Sequence, residues 1–535
     1  MMYLTLLFSQ IVKIETATAQ LTDKLVEPLI GRFFYSQDYL IIKSWFFELL
    51  PELLLTAFIL YCLVTVFNDA QKSIFQYYRW LFFFMFLFVV LFWKVLFFSW
   101  SATNIILGFT WINCLYTNIS KLVILGLTLI VLLISKDKIK RADNIATIVE
   151  FPLIVGFSVL FMFLLTSSYD FFGVYLAIEG LSLTLYALAA MLHQGIVSTE
   201  AAIKYFSLGA ISGGVFLFGI SIIFGIVGSL DFLEVQLFLA NSVAFSNMLE
   251  MKIGLTCILF GFFFKVSAFP CHFWVADVYE GIWTPITSFF AIVVKAALML
   301  VFIRILFNVF SNVLFFFQPI LVVAALGSMF VGAMGALKQL RIKRFIAYTS
   351  INQIGFLFFG LASCNLIGLI ATLIYLMLYV SMSLNFFTIL LNTEHMVTKR
   401  GMLYLSDLYC FSSYNTESSK HLVLTIMSMA GLPPLGGFIG KLFLYFAVME
   451  AKLDTALFIS LLISMVSTYY YLSFVRYVWF EKQCVLKLYY YKQSNGFDFL
   501  LRILSTGLVI FPLIFPYVFS IGTDIAISCT WPLIS

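Results

Sequence analysis

Apolar runs of about 20 residues recur along the chain, each closed by a short polar or basic break, a repeat that predicts membrane-crossing helices. A window of ~20 residues marks about fourteen spans: about 46–67, 80–99, 120–135, 146–166, 170–192, 201–227, 254–275, 284–308, 313–336, 344–362, 365–391, 422–449, 455–477 and 499–520. Segments 103–116 and 229–249 read as interfacial stretches or partial spans. Span 7 is interrupted near Pro270 and span 12 near Pro433 and Pro434. Proline inside a span releases backbone groups that protein or cavity water must satisfy.

The two interrupted spans lie five apart. Five-span units 4–8 and 9–13 put the breaks at equivalent positions, and an odd number of spans reverses the second unit in the membrane. The expected fold is therefore all-α and polytopic, with two inverted five-helix repeats and discontinuous helices 7 and 12. The expected organisation is an N-terminal extension (1–45), spans 1–3 (46–145), a first repeat (146–310), a second repeat (311–480) and a C-terminal part with a lateral span (481–535).

Basic residues test the parity of this count. Loops after odd-numbered spans carry Lys72 and Arg79; Lys136, Lys138, Lys140 and Arg141; Lys338, Arg341, Lys343 and Arg344; Lys399 and Arg400; and Lys482, Lys487 and Lys492. Loops after even-numbered spans are nearly free of them. The asymmetry assigns the basic loops to the cytoplasmic or matrix side and makes these residues topology signals. Composition agrees: 63% of the 535 residues are hydrophobic and 11% charged, which excludes a large soluble domain. The 63 phenylalanines admit two readings, T-rich codon bias in an organelle genome or a preference for bulky lipid-facing side chains. The eight cysteines are scattered without CxxC or metal spacing, and there is no Gly-rich nucleotide loop, so the polypeptide reads as cofactor-free, with no nucleic-acid stripe.

Against that apolar background, five charges within spans stand out: Glu179, Lys204, Lys265, Lys295 and Lys441. A lysine at mid-bilayer costs about 2.5–3.5 kcal/mol on insertion scales, and rows of such groups serve as proton relays in pumps. The bland alternative is a set of fixed ion pairs that lock helices together. Lys204, near a span end, can also snorkel to the interface. Glu48, Glu52, Lys94 and Glu150, at span edges, read as interfacial.

These residues carry a resemblance. The stretches STEAAIKYFSLGAISGGVFLFGISIIFG (198–225), FKVSAFPCHFWVADVYEGIWTPITSFFAIVVKAA (264–297), LKQLRIKRFIAYTSINQIGFLFFGL (337–361) and MAGLPPLGGFIGKLFLY (429–445) are similar to the antiporter-like membrane subunits of respiratory complex I. The DVYEG run (277–281) and the lysine of GFIGK resemble the branch called subunit 2 in mitochondria and N in bacteria. The resemblance implies that Glu179 pairs with Lys265, that Lys204 tunes the pair, that His272 and Lys295 lie on a connecting axis, and that Lys441 exchanges protons with one side. It implies no cofactor on this chain, with NADH, FMN, iron–sulfur clusters and ubiquinone in partner subunits. The implied partners are other membrane-arm subunits, including antiporter-like subunit 4 and small membrane subunits, together with lipids. The implied location is the mitochondrial inner membrane, with a bacterial plasma membrane as alternative. Residues 394–421 match no part of the family pattern.

Lys265→Ala is expected to impair proton pumping and coupled turnover while leaving assembly intact, with Glu179→Gln acting in the same direction. Near-normal pumping by an assembled variant counts against a relay, and loss of assembly favours the fixed ion pair.

Overall fold

A computed structural model describes residues 48–68, 73–97, 104–106, 110–140, 145–192, 195–240, 249–395, 401–409, 411–414, 416–480, 489–491 and 506–507. The N-terminal extension (1–45), most of the C-terminal part with span 14, and the loop residues Lys72, Arg141, Lys399, Arg400, Lys482, Lys487 and Lys492 lie outside them. Two compact units are distinguished, Met1–Leu54 and Leu55–Ser535. In the first, Glu48 and Glu52 are buried.

Each of the first thirteen expected spans contains helix. These are α1 (Leu50–Asn68), α2 (Ser73–Phe97), α3 (Leu115–Lys140), α4 (Ile145–Ser167), α5 (Phe171–Ala190) and α6 (Ile196–Val227). A short α7 (Phe232–Ala240) occupies the ambiguous 229–249 segment. Span 7 is α8 (Leu249–Val266) and α9 (Phe273–Gly281), and span 8 is α10 (Thr284–Val309). There follow α11 (Leu314–Leu337), α12 (Ile342–Leu361), α13 (Leu366–Asn392), α14 (Thr416–Ala430), α15 (Gly436–Glu450) and α16 (Asp454–Trp479). Nine helices are long and apolar enough to cross a membrane among the described residues. The chain is an all-α polytopic membrane protein with two small antiparallel ribbons. One pairs Asn104–Ile106 with Trp111–Asn113, within the other ambiguous segment; the second pairs Thr393–His395 with Tyr489–Tyr491.

Helix α10 is the core. It is mainly apolar, with Lys295 and Arg304 as its charges, and its membrane-length window is wholly buried, as expected of a helix enclosed by other helices. Four helices hold it by polar ties. Tyr116 of α3 donates to Leu300 O at 2.7 Å, and Tyr379 of α13 donates to Ala291 O at 3.0 Å. Lys295 donates to Ser350 of α12 at 2.8 Å, and Arg304 donates to Thr166 O of α4. Two π-helical turns, Phe290–Val294 and Ile305–Val309, interrupt α10, and the first ends at Lys295. A π turn shifts the hydrogen-bond register and marks functional sites more often than ordinary helix does. Here the Tyr379 hydroxyl meets a carbonyl of that turn.

Small residues set the spacing of α11 and α12, as in membrane helix pairs generally. A Cβ on Gly332 would lie 2.6 Å from Asn352 N, and one on Gly355 2.8 Å from Met329 N. Gly332→Val is therefore expected to destabilise the chain by about 1–3 kcal/mol through overpacking. Thermal unfolding of the detergent-purified protein measures this, and an unchanged midpoint contradicts the close approach.

Candidate functional site

Both expected breaks are present. Helix α8 ends at Val266, where Ser267 turns out of the helix with φ +70°, and Trp274 Nε1 donates to the Phe264 carbonyl at 3.1 Å. Helix α14 ends at Ala430, and Gly431 takes φ +84° while its N–H bonds back to Met427 O and Ser428 O. A left-handed glycine at a helix C-terminus is a common stop signal. Lys265 precedes its proline and Lys441 follows its prolines in sequence. In space both lysines lie at the C-terminal end of the first half-helix. Lys265 is in the last turn of α8, and Lys441 Nζ donates to Met429 O at 3.1 Å and Ala430 O at 2.9 Å, the last carbonyls of α14. That end of a helix carries partial negative charge, which stabilises a cation.

Each buried lysine has a different partner set. Lys265 Nζ is 4.0 Å from Glu179 Oε1, with side-chain exposures of 7% and 27%. That separation is an ion pair beyond hydrogen-bond range, so it is neither a locked contact nor an isolated charge. Glu179 Oε2 accepts a hydrogen bond from Ser182 at 3.2 Å, one turn on along α5. Lys295 is 3% exposed, donates to Ser350 Oγ and lies 5.3 Å from the centre of the Tyr279 ring. Lys441 is 4% exposed and lies 4.7 Å from the centre of the Phe356 ring. A ring face attracts a desolvated ammonium by about 2 kcal/mol.

Helix α12 connects the last two lysines: Ser350 and Phe356 contact one each, with Gln353 between them in sequence. Gln353 Nε2 lies 3.2 Å from Tyr471 OH and 3.5 Å from Met429 O, while its Oε1 accepts from Tyr375 OH. A cavity of about 20 Å³ opens among Ser350, Gln353, Ser383, Tyr379, Met429 and Tyr471. One water needs about 10–15 Å³, which this cavity provides.

Two expected members sit elsewhere. Lys204 is exposed and pairs with Glu200 at 2.8 Å and Asp277 at 3.2 Å. Glu179 instead abuts Gly213 of α6, nine residues and roughly 13 Å along the helix from Lys204. Lys204 therefore does not touch the Glu179–Lys265 pair. His272 immediately precedes α9 without a side-chain cap bond, half-buried between the rings of Phe269 and Phe273, and no ion pair to it is found among the described residues.

Sequence reading missed several polar groups. Lys121 and Arg304 are buried at 2% and 4% exposure. Arg341 and Arg344, whose place in a basic loop marks topology, also pair with the acids of DVYEG: Arg344 Nη2 donates to Asp277 Oδ1 at 2.8 Å, and both arginines pair with Glu280. Lys343 Nζ donates to Ile282 O. The signal was there, since DVYEG and RIKR carry opposite charges, but only the fold brings them together. Among the described residues no group of three or more His, Cys, Asp or Glu side chains is placed to hold a metal ion.

Known proteins share this arrangement of helices. A family model described as NADH:quinone oxidoreductase/Mrp antiporter, transmembrane, matches residues 168–467, more than half of the chain. NADH-quinone oxidoreductase subunit N 1 of Rhizobium meliloti (strain 1021) is 38% identical over 333 residues, spanning 62% of this chain and 68% of the relative. Subunit N of Paramagnetospirillum magneticum is 37% identical over 337 residues, with the same shares of 62% and 68%. In fold, a chain of respiratory complex I from Thermus thermophilus matches with a TM-score of 0.71 at 24% identity, over 88% of this chain and 98% of that one. A chain of the archaeal membrane-bound sulfane sulfur reductase matches at 0.76 and 21%, over 90% and 97%. A chain of the Mrp complex from Dietzia sp. DQ12-45-1b matches at 0.75 and 16%, over 91% and 98%. The five-charge pattern, the two broken helices and these matches lead to one conclusion: the chain belongs to the NADH:quinone oxidoreductase/Mrp antiporter transmembrane family, among its subunit N members.

Proposed function

We propose that this chain is a core membrane-arm subunit of a respiratory NADH:quinone oxidoreductase and translocates protons through a buried Glu/Lys relay. The observation that carries the reading is the succession of three buried lysines, each held by a different partner set. Glu179 and Lys265 form the entry pair, Lys295 the centre and Lys441 the exit group. Lys204 acts at the margin through Asp277, and His272 lies at the break beside Lys265. A proton passes by small changes in the balance between burial, which disfavours an ammonium, and a nearby carboxylate, ring or carbonyl, which favours it. The cavity between Ser350 and Gln353 supplies the water bridge from Lys295 toward Lys441.

The oxidation of NADH and reduction of a quinone take place in partner subunits, which carry FMN and iron–sulfur clusters; this chain contributes the proton path. Its neighbours are other membrane-arm subunits, antiporter-like subunit 4 among them, with small membrane subunits and lipids. The two five-helix units, 146–310 and 311–480, act as inverted repeats that meet at α10 and α12. The subunit N relatives above are bacterial, which favours a bacterial plasma membrane over the mitochondrial inner membrane that the resemblance implies.

A second reading, a cation/proton antiporter subunit without redox coupling, draws support from the fold likeness to the Mrp complex. Migration on a native gel separates the two. Co-migration with NADH-oxidising activity is expected, and a stable complex lacking that activity sinks the redox-coupled reading. A second prediction concerns the exit group. Lys441→Met leaves the Met429 and Ala430 carbonyls without their donor, which costs about 1–3 kcal/mol of stability. It also abolishes proton release through this subunit. Proton uptake and release in reconstituted vesicles measure the effect, and wild-type pumping by the assembled variant contradicts the assignment.

A further inference from the structure

We propose that the DVYEG run is the positioning element of the central lysine: an ion-pair chain from α6 across α9 to α12 fixes the spacing in which Lys295 is held between Tyr279 and Ser350. The functional consequence rests on the relay reading, whereas the geometric one does not.

The run's residues divide the task among them. Asp277 bridges two helices, since its Oδ2 accepts from Lys204 Nζ of α6 at 3.2 Å and its Oδ1 from Arg344 Nη2 of α12 at 2.8 Å. Glu280 pairs with both Arg341 and Arg344, and at 12% side-chain exposure it is the most enclosed member of the chain of charges. Gly281 lies flat on α6, where a Cβ would come 2.5 Å from Ala201 Cβ and 2.7 Å from Val197 O. Between the two acids, Tyr279 is 1% exposed and turns its ring toward Lys295 Nζ. Lys343 adds a third tie by donating to the carbonyl of Ile282, just past α9.

The α12 end is anchored in turn. Ile342 N donates to Leu403 O at 3.0 Å, Leu405 N donates to Leu340 O at 2.8 Å, and the Arg341 guanidinium lies 5.9 Å from the centre of the Tyr404 ring. Segment 401–409 therefore braces the arginine end. A single exposed ion pair contributes little. Here the members are shared: Glu200, Lys204, Asp277, Arg344, Glu280 and Arg341 form one continuous series. A guanidinium also fixes direction better than an ammonium does.

Why this controls Lys295 follows from position. Tyr279 is within one turn of both acids, and Ser350 lies six residues, about 9 Å, beyond Arg344 on α12. The covalent path from α9 to α12 runs through the whole of α10 and α11, too long a route to set their spacing. A shift of α9 against α12 thus moves the ring and the hydroxyl apart directly at Lys295 Nζ. The six charged residues of the series are positioning residues; among the described residues none forms a hydrogen bond or ion pair with Lys295.

The test uses the assembled complex carrying Glu280→Gln or Glu280→Asp. Three quantities are read: ferricyanide reduction by NADH, coupled NADH:quinone turnover, and the Lys295 Nζ–Ser350 Oγ distance by cryo-electron microscopy. Glu280→Gln is expected to keep ferricyanide reduction and lose coupled turnover roughly ten-fold, the order produced by a misplacement under 1 Å. The Lys295–Ser350 distance is expected to open beyond about 3.5 Å. Glu280→Asp, which keeps the carboxylate shared by Arg341 and Arg344, is expected to recover most of both. Glu280→Gln with normal coupled turnover and an unchanged distance overturns the proposal. If that variant fails to assemble, Glu280→Asp decides: coupled turnover with the Lys295–Ser350 distance kept supports the clamp, and loss of either in the assembled variant overturns it. Lys295→Ala with normal coupled turnover overturns the relay reading alone, and the distance in Glu280→Gln still decides the clamp.

Discussion

An ammonium group inside an apolar bundle must be matched by its surroundings, and this constraint organises the molecule. Three lysines lie at depth, and the fold gives each a different solution. Lys265 has a carboxylate at 4.0 Å, Lys295 a hydroxyl and a ring face, and Lys441 two terminal carbonyls and a ring face. None of these is the tight, fully hydrogen-bonded pair that would hold a charge permanently. The energies involved, about 1–3 kcal/mol for a hydrogen bond to a charged group and about 2 kcal/mol for a desolvated cation on a ring, are small enough to be rebalanced by one neighbouring charge.

The broken helices are how the backbone supplies part of that match. At each break a half-helix ends inside the bundle, and its C-terminal end coincides with a lysine. This resolves an asymmetry in the sequence, where the lysines fall on opposite sides of their prolines. Lys265 belongs to the half-helix whose end it occupies, whereas Lys441 reaches back from the next one. The electrostatic result is the same. Helix α10 sits between the breaks, enclosed on all sides, and its π turn delivers Lys295 toward α12.

Much of this was legible from the chain. Span positions follow from runs of apolar residues, which depend on local composition alone, and the breaks follow from proline. Glu179, Lys265, Lys295 and Lys441 stood out because charge is rare in such segments. What sequence could not supply was pairing across distance. Asp277 and Glu280 read as a family signature until the fold set them against Arg344 and Arg341, more than sixty residues away. Those arginines had a sufficient explanation as loop charges, which concealed a second role. Lys204 was grouped with the buried lysines, yet a helix of 32 residues places its first turns well away from Gly213, where Glu179 lies. Lys121 lay near the start of its expected span, where a lysine can snorkel, so nothing marked it as buried.

The central claim is a continuous protonic connection among buried groups, with water completing what side chains leave open. A cryo-electron microscopy map of the assembled complex, sharp enough to resolve ordered water, tests it most directly. At least one water is expected in the cavity bounded by Ser350, Gln353 and Met429, with further waters joining Lys265 to Lys295 and Lys295 to Lys441. A dry cavity, with the three lysines separated by unbroken apolar packing, would contradict it.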